Sequence, residues 1–158
     1  MESEKHLLVD GSNILHAWPD LRALLRRDRG AARSRLSLAL AGLHDAEHLR
    51  VSLVFDGRGP ELVVERPSGQ AGFTHLYSPS GMTADDIIEQ IVGNSRNPGE
   101  CLVATDDRAE RQTIEALGAA GLSAADLAAW VERSGARQHA RLRDRGRANE
   151  KEWRRRAP

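Results

Sequence analysis

Cysteine is nearly missing from this 158-residue chain, with Cys101 standing alone. An intramolecular disulfide and a cysteine-rich zinc site are therefore excluded, and Cys101 reads as a small hydrophobe at the start of a strand. No apolar run approaches the ~18 residues of a membrane span. The opening "MESEKH" lacks the apolar core of a signal peptide, so a cytoplasmic protein is expected. Neither a G-x-x-x-x-G-K-[ST] phosphate loop nor a G-x-G-x-x-G fingerprint occurs, and no G-x-S-x-G nucleophile elbow is present. His44 and His48 have the i, i+4 spacing of a zinc helix, but Asp45 stands where the required glutamate would be. They read as surface histidines near a helix end. Aromatic residues are sparse, so each is weighed singly.

What is present is a length suited to one domain with a sizeable core. A net charge of zero conceals a strong asymmetry. Between Arg133 and Arg156 there are ten Lys/Arg against three Asp/Glu, a surplus of seven positive charges matched by an equal negative surplus elsewhere. An acidic body, residues 1–134, and a basic extension, residues 135–158, are expected. Such an extension favours polyanions, the alternative being a solvated helix face.

Hydrophobic patterning alternates between strand and helix. Strands are expected at His6–Val9, Arg50–Phe55, Phe73–Tyr77 and Cys101–Thr105, with a short fifth near Gly121–Ser123. Helices are expected at Asp20–Arg27, Ala31–Ala46, Thr83–Gly93, Asp107–Leu117 and Ala124–Arg133, with a helical tail beyond. Leu62–Val64 reads as a brief extended piece in a Gly/Pro-rich loop. The near-continuous apolar run of "RVSLVF" suits a strand covered on both faces. The expectation is an α/β fold, three layers deep, with a mainly parallel sheet.

Aspartates fall where strands run out. Asp10 follows "LLV", Asp56 follows "SLVF", and Asp106 and Asp107 follow "CLVAT". In open parallel sheets the ligand crevice lies outside those strand ends. Asp85 and Asp86 stand at the start of a helix in "MTADDIIEQIV". Taken singly, each suits a cap or turn: Thr83 with Asp86 fits a capping box, and Asp107 with Glu110 fits a similar one. Taken together, crowded carboxylates repel one another and hold protons. A bound cation relieves that repulsion, and oxygen ligands suit Mg²⁺ or Mn²⁺. A capping role for Asp86 leaves Asp85 to face the site, and Asp106 and Asp107 pose the same choice. A phosphatase built on a strand-end aspartate wants a second acid two residues on, where Ser12 stands.

The segments "LLVDGSNILHAWPDL", "VFDGRG", "TADDIIEQIV" and "VATDDRAERQTIEALGA" together resemble the YacP-like NYN domains of the PIN-like nuclease superfamily, from about Leu7 to Val131. The resemblance implies strand order 3-2-1-4-5 with helices on both faces. It also implies aspartates that bind a divalent metal and hydrolysis of RNA, with ribosome-associated mRNA as the substrate. By position, the D-G-x-N motif falls on Asp10 and Asn13, the acid after the second strand on Asp56, that of T-A-D on Asp85, and that after the fourth strand on Asp107. Asp106 occupies a position the family often gives to serine and joins Asp10, Asp85 and Asp107 as a candidate metal ligand. Ser12 stands where the family often has an aromatic.

An acidic pocket repels RNA, so cations must offset it. Arg58, Arg96, Arg108 and Arg111 are near the site-forming ends in sequence, and the tail arginines add phosphate affinity that weakens with salt. Trp18, beside Pro19, suits either a helix staple or a base-stacking ring. His16 lies close in sequence to Asp10 as a structural or substrate-side group. Two other accounts compete. One is a non-catalytic RNA- or ribosome-binding module. The other is a structure-specific DNA nuclease, for which the chain lacks the usual helical clamp.

Overall fold

The computed structural model describes residues 4–156, so residues 1–3 and 157–158 of the two expected segments lie outside the described residues. The elements run β1 (His6–Asp10), α1 (Gly11–Ala17), α2 (Pro19–Arg27), α3 (Arg29–Glu47), β2 (Arg50–Phe55), β3 (Val63–Glu65), β4 (Phe73–Tyr77), α4 (Ala84–Gly93), a 3₁₀ turn (Pro98–Glu100), β5 (Cys101–Ala104), α5 (Arg108–Ala116), β6 (Ala120–Leu122) and α6 (Ala124–Arg156). The six strands form one sheet in the order β3-β4-β2-β1-β5-β6. Only β3 is antiparallel, pairing with β4. The remaining five strands have the order 3-2-1-4-5 implied by the resemblance.

Side chains on successive strand residues face opposite ways, and both faces of this sheet are covered. Leu7, Val9, Leu53 and Phe55 pack with Leu36, Leu40 and Leu127 from α3 and α6. Leu8, Val54 and Val103 pack with Ile87, Ile88, Val92 and Ile114 from α4 and α5. This double coverage is why β2 reads as a continuous apolar run. Cys101 is buried and free on the second face. Among the described residues no helix is long and apolar enough to cross a membrane.

The first helix is expected at Asp20, yet α1 begins at Gly11, directly after β1. Asp10 accepts a hydrogen bond from the Asn13 amide as its N-cap, and Ile14 and Leu15 are buried against the core. Tertiary burial overrides the turn propensity of Gly-Ser-Asn. Trp18 serves structure: its indole donates to the Ala124 carbonyl at 2.8 Å and its ring packs on the core. About three turns further along α6, Ser134 donates to Glu47 at 2.7 Å, and Arg137 pairs with the same carboxylate. Glu47 closes α3 just before β2 begins. The helix α6 therefore runs from the carboxyl-terminal edge of the parallel strands to the opposite edge. It passes residue 134 unbroken, and its arginine-rich part follows beyond.

Gly11 is required by close approach and not by a left-handed backbone. A Cβ there would meet the Phe55 ring at 2.4 Å and the Val54 carbonyl oxygen at 2.9 Å. Gly11→Ala is expected to destabilise the fold by about 1–3 kcal/mol through overpacking against β2. Urea unfolding should show a lower midpoint with an unchanged slope; an unchanged midpoint would mean that β2 yields at no cost.

Candidate functional site

Parallel pairing sets the geometry. Asp10 lies opposite Val54 of β2, and Val9 lies opposite Ala104 of β5. The residues that follow all three strands thus emerge at one level of the sheet. Asp56 then accepts a hydrogen bond from the Ala84 amide at 2.7 Å, which seats the start of α4 beside the end of β2. Thr83 and Asp86 form the reciprocal capping box, with bonds of 3.1 and 2.9 Å. Asp86 is thereby occupied, and Asp85 is left to feel the charges of Asp10 and Asp107.

The two aspartates after β5 divide their roles. Asp107 caps α5, accepting from the amides of Ala109 at 2.9 Å and Glu110 at 3.3 Å. Its charge reaches both Asp10 and Asp85. Asp106 instead accepts from the Ala124 amide at 2.8 Å, at the start of α6. Its own amide donates to the Asn13 side-chain oxygen at 2.9 Å. Asn13 therefore ties the first turn of α1 to the β5–α5 connection.

Glu110 is an acid that the sequence disguises. The expected second capping box does not close, because Glu110 turns inward and does not reach back to the Asp107 amide. It is 1% exposed. One carboxylate oxygen accepts from the Thr105 hydroxyl at 2.8 Å, and the Asp107 amide donates to that same hydroxyl at 3.1 Å. The other oxygen, Oε1, is buried and has no donor. The overlooked signal was spacing: Glu110 and Ile114, four residues apart, are the buried residues of an otherwise polar α5.

The site holds protons tightly. Burial raises the Asp10 carboxyl, and the nearby charges of Asp56 and Asp107 add to that; hydrogen bonds from Glu110 and Asn13 oppose it. Burial, then the charge of Glu89 one helical turn on, push Asp85 up to about 7. Glu110 is pushed up to about 9 by burial and by the Asp10 carboxylate, with which it shares a hydrogen bond. Besides Oε1 of Glu110, Oδ1 of Asp85 is buried without a donor. The donor-less Oδ1 of Asp85 suits a hard cation, whereas Glu110 is hydrogen-bonded to Asp10 through the proton it keeps. Yet among the described residues no three His, Cys, Asp or Glu side chains close into a ready-made metal cage. The donor set thus fits a hydrated Mg²⁺-like ion that keeps several waters, and it could draw on Asp10, Asp85 and Asp107.

The expected cations scatter. Arg108 opens α5 at the acidic edge, and Arg58 follows Asp56 by two residues and lines a cleft there. Arg111 lies over β6, close to Gly121. Arg96 is separated from the site: it follows the far end of α4, where Asn94 and Ser95 share a cleft with His6, Arg50 and Cys101 at the starts of β1, β2 and β5. The tail arginines also lie beyond that opposite edge. Both ring nitrogens of His44 are engaged, by the Leu49 carbonyl oxygen and the Gln70 side chain, which leaves no zinc pair with His48.

The YacP-like NYN domain profile matches residues 7–157. The uncharacterized protein YacP of Bacillus subtilis (strain 168) is 33% identical over 129 residues, covering 80% of this chain and 74% of that protein. The crystal structure of Rae1 (YacP) from Bacillus subtilis superposes with a TM-score of 0.76 at 28% identity, over 95% of this chain and 84% of that one. A mutant of the same protein gives 0.74 at 29% identity, over 89% and 82%.

Folding raises the pKa of Glu110 from 4.5 to about 9, so between those values the folded chain keeps a proton that the unfolded chain has released. Stability of the metal-free protein should therefore fall as pH rises through that window. Glu110→Gln mimics the protonated acid and removes the penalty. It should stabilise the fold at pH 8 by more than about 1 kcal/mol, one pKa unit being worth about 1.4, and leave it nearly unchanged at pH 4.5. Thermal melts across pH check this; destabilisation at pH 8 would mean that Glu110 is ionised and paired.

Proposed function

The chain belongs to the YacP-like NYN domain family, and from that premise we propose that it is a divalent-metal-dependent endoribonuclease acting on mRNA, with the ribosome as the setting of that substrate. The observation that carries this reading is the acidic edge itself. Asp10, Asp85 and Glu110 are held together at raised proton affinity, and the buried Oδ1 of Asp85 has no donor. Among the described residues the ion pairs all lie elsewhere, so no arginine or lysine neutralises this edge.

Asp10, Asp85 and Asp107 would hold Mg²⁺ or Mn²⁺, with Asp56 assisting through its free oxygen. When bound, such an ion polarises the scissile phosphate and lowers the pKa of water. The chain's own residues do the positioning. Asp56 fixes the start of α4 and so the place of Asp85. Thr105 and Glu110 support Asp10 from the buried side. Asn13 holds the β5–α5 connection against α1, fixing where Asp107 begins its helix. Water attack at phosphorus with departure of the 3′ oxygen leaves 5′-phosphate and 3′-hydroxyl ends.

Purified protein with Mn²⁺ should cleave single-stranded RNA, and EDTA should stop it. Asp10→Asn and Asp85→Asn should each lower the rate at least about 100-fold, beyond the loss typical of a residue that merely supports a ligand, while melting cooperatively. RNA binding without any cleavage would favour the non-catalytic module instead. A second check needs no turnover. Because the ion displaces protons held by Asp10 and Asp85, the rise in melting temperature on adding Mn²⁺ should be larger at pH 8 than at pH 6. The reverse order would overturn the assignment of these carboxylates.

A further inference from the structure

An acidic edge needs a cationic neighbour to hold a polyanion, and one adjoins it. A cleft of about 580 Å³ borders Asp56, with Ser12 and His16 from α1, Arg29 and Arg33 from α3, and Arg58 after β2 around it. Arg29 and Arg33 are one helical turn apart, as are Ser12 and His16, so each helix presents an aligned pair. The wall is aromatic: Phe55 stacks on Tyr77 with ring centroids 5.7 Å apart. The Arg33 guanidinium lies 4.8 Å above the Phe55 ring, which fixes the group without using its donors. Its Nε is buried and has no acceptor. Among the described residues, Arg29, Arg33 and Arg58 take part in no ion pair.

Three guanidiniums with unspent donors around one cavity call for an oxyanion, and planar forks match phosphate oxygens in pairs. We propose that this cleft is the phosphate subsite for single-stranded RNA, holding a backbone phosphate that flanks the one at the acidic edge. The inference rests on the nuclease reading, and Asp56, which lines the cleft and caps α4, joins the two sites. Gly57 lets the chain leave β2 toward Arg58, since a Cβ there would lie 2.1 Å from the Ser78 carbonyl oxygen. Ser12 lines the cleft with a small side chain that leaves its floor open.

The test is fluorescence anisotropy of a labelled single-stranded RNA in EDTA, where no metal bridges RNA to the acids. Arg33→Gln with Arg58→Gln should weaken binding about 10-fold and flatten the log–log salt slope by about 0.7, the value for the one single-strand phosphate no longer neutralised. Arg58→Gln alone, at an exposed position that the fold does not need, should give about half of that slope change. Arg96→Gln, at the opposite edge, should bind like the unaltered protein. Unchanged affinity and slope in both cleft variants would overturn the subsite. So would inorganic phosphate that binds in the cleft but fails to compete with RNA. If the cleft variants lose RNA binding while the unaltered protein never cleaves, the subsite stands and the nuclease reading falls. If Asp10→Asn abolishes cleavage while the cleft variants bind normally, the reverse holds.

Discussion

Everything at the acidic edge depends on the hydrogen-bonded ladder that holds β1 between β2 and β5. With Asp10 opposite Val54 and Val9 opposite Ala104, three strands stop at one level. A one-residue slip would send Asp10 to the other face of the sheet and pull the buried alternation of Leu7, Leu8 and Val9 apart. The same edge is where α1, α4, α5 and α6 begin. Each start is served by an acid: Asp10 for α1, Asp56 and Asp86 for α4, Asp107 for α5 and Asp106 for α6. Capping and clustering are therefore one arrangement. Unsatisfied amides and helix dipoles put partial positive charge where the carboxylates crowd, which offsets part of their repulsion.

That offset is incomplete. Glu110 carries a proton well above the ordinary carboxylate range, and one of its oxygens lacks a donor. A fold selected for stability alone would place an apolar residue beside Ile114 on that face of α5. Retaining a buried acid there is a local cost of the kind that collects at functional sites. Just beyond Asp56 the sign of the surface reverses to arginine. A polyanion laid along this edge meets repulsion and attraction within a few side chains, which fixes its direction as well as its position.

Much of this was legible in the sequence. β2 and β4 occupy the expected bounds because apolar runs closed by polar turns are strong local signals. Asp10 and Asp56 stand out because each follows a strand; placement alone leaves Asp85 or Asp86, and Asp106 or Asp107, open, and the resemblance implies Asp85 and Asp107. Three things were hidden. Helix α1 forms because Ile14 and Leu15 are buried, which Gly-Ser-Asn alone does not reveal. Glu110 imitates a capping box three residues after Asp107, and only the inward face of α5 distinguishes the two roles. Arg96 follows a helix that begins at the site, but ten residues of helix carry it to the far edge. Arg29 and Arg33 offered no signal, since their approach to β2 is set by how α3 lies across the sheet.

The anchoring of α6 has a consequence for scale. Its first turn is tied to the acidic edge through Asp106 and Ala124, and Glu47 pins it again at the opposite edge. From Ala124 to Arg154 the helix is about 45 Å long at 1.5 Å per residue. A nucleic acid strand touching both the carboxylates and the last arginines would have to reach that far, roughly 13 stacked nucleotides at 3.4 Å each. The helix is thus a spacer: a ligand the size of a dinucleotide matches only a small fraction of its length, and a bridge between both ends would need an extended chain or a large particle.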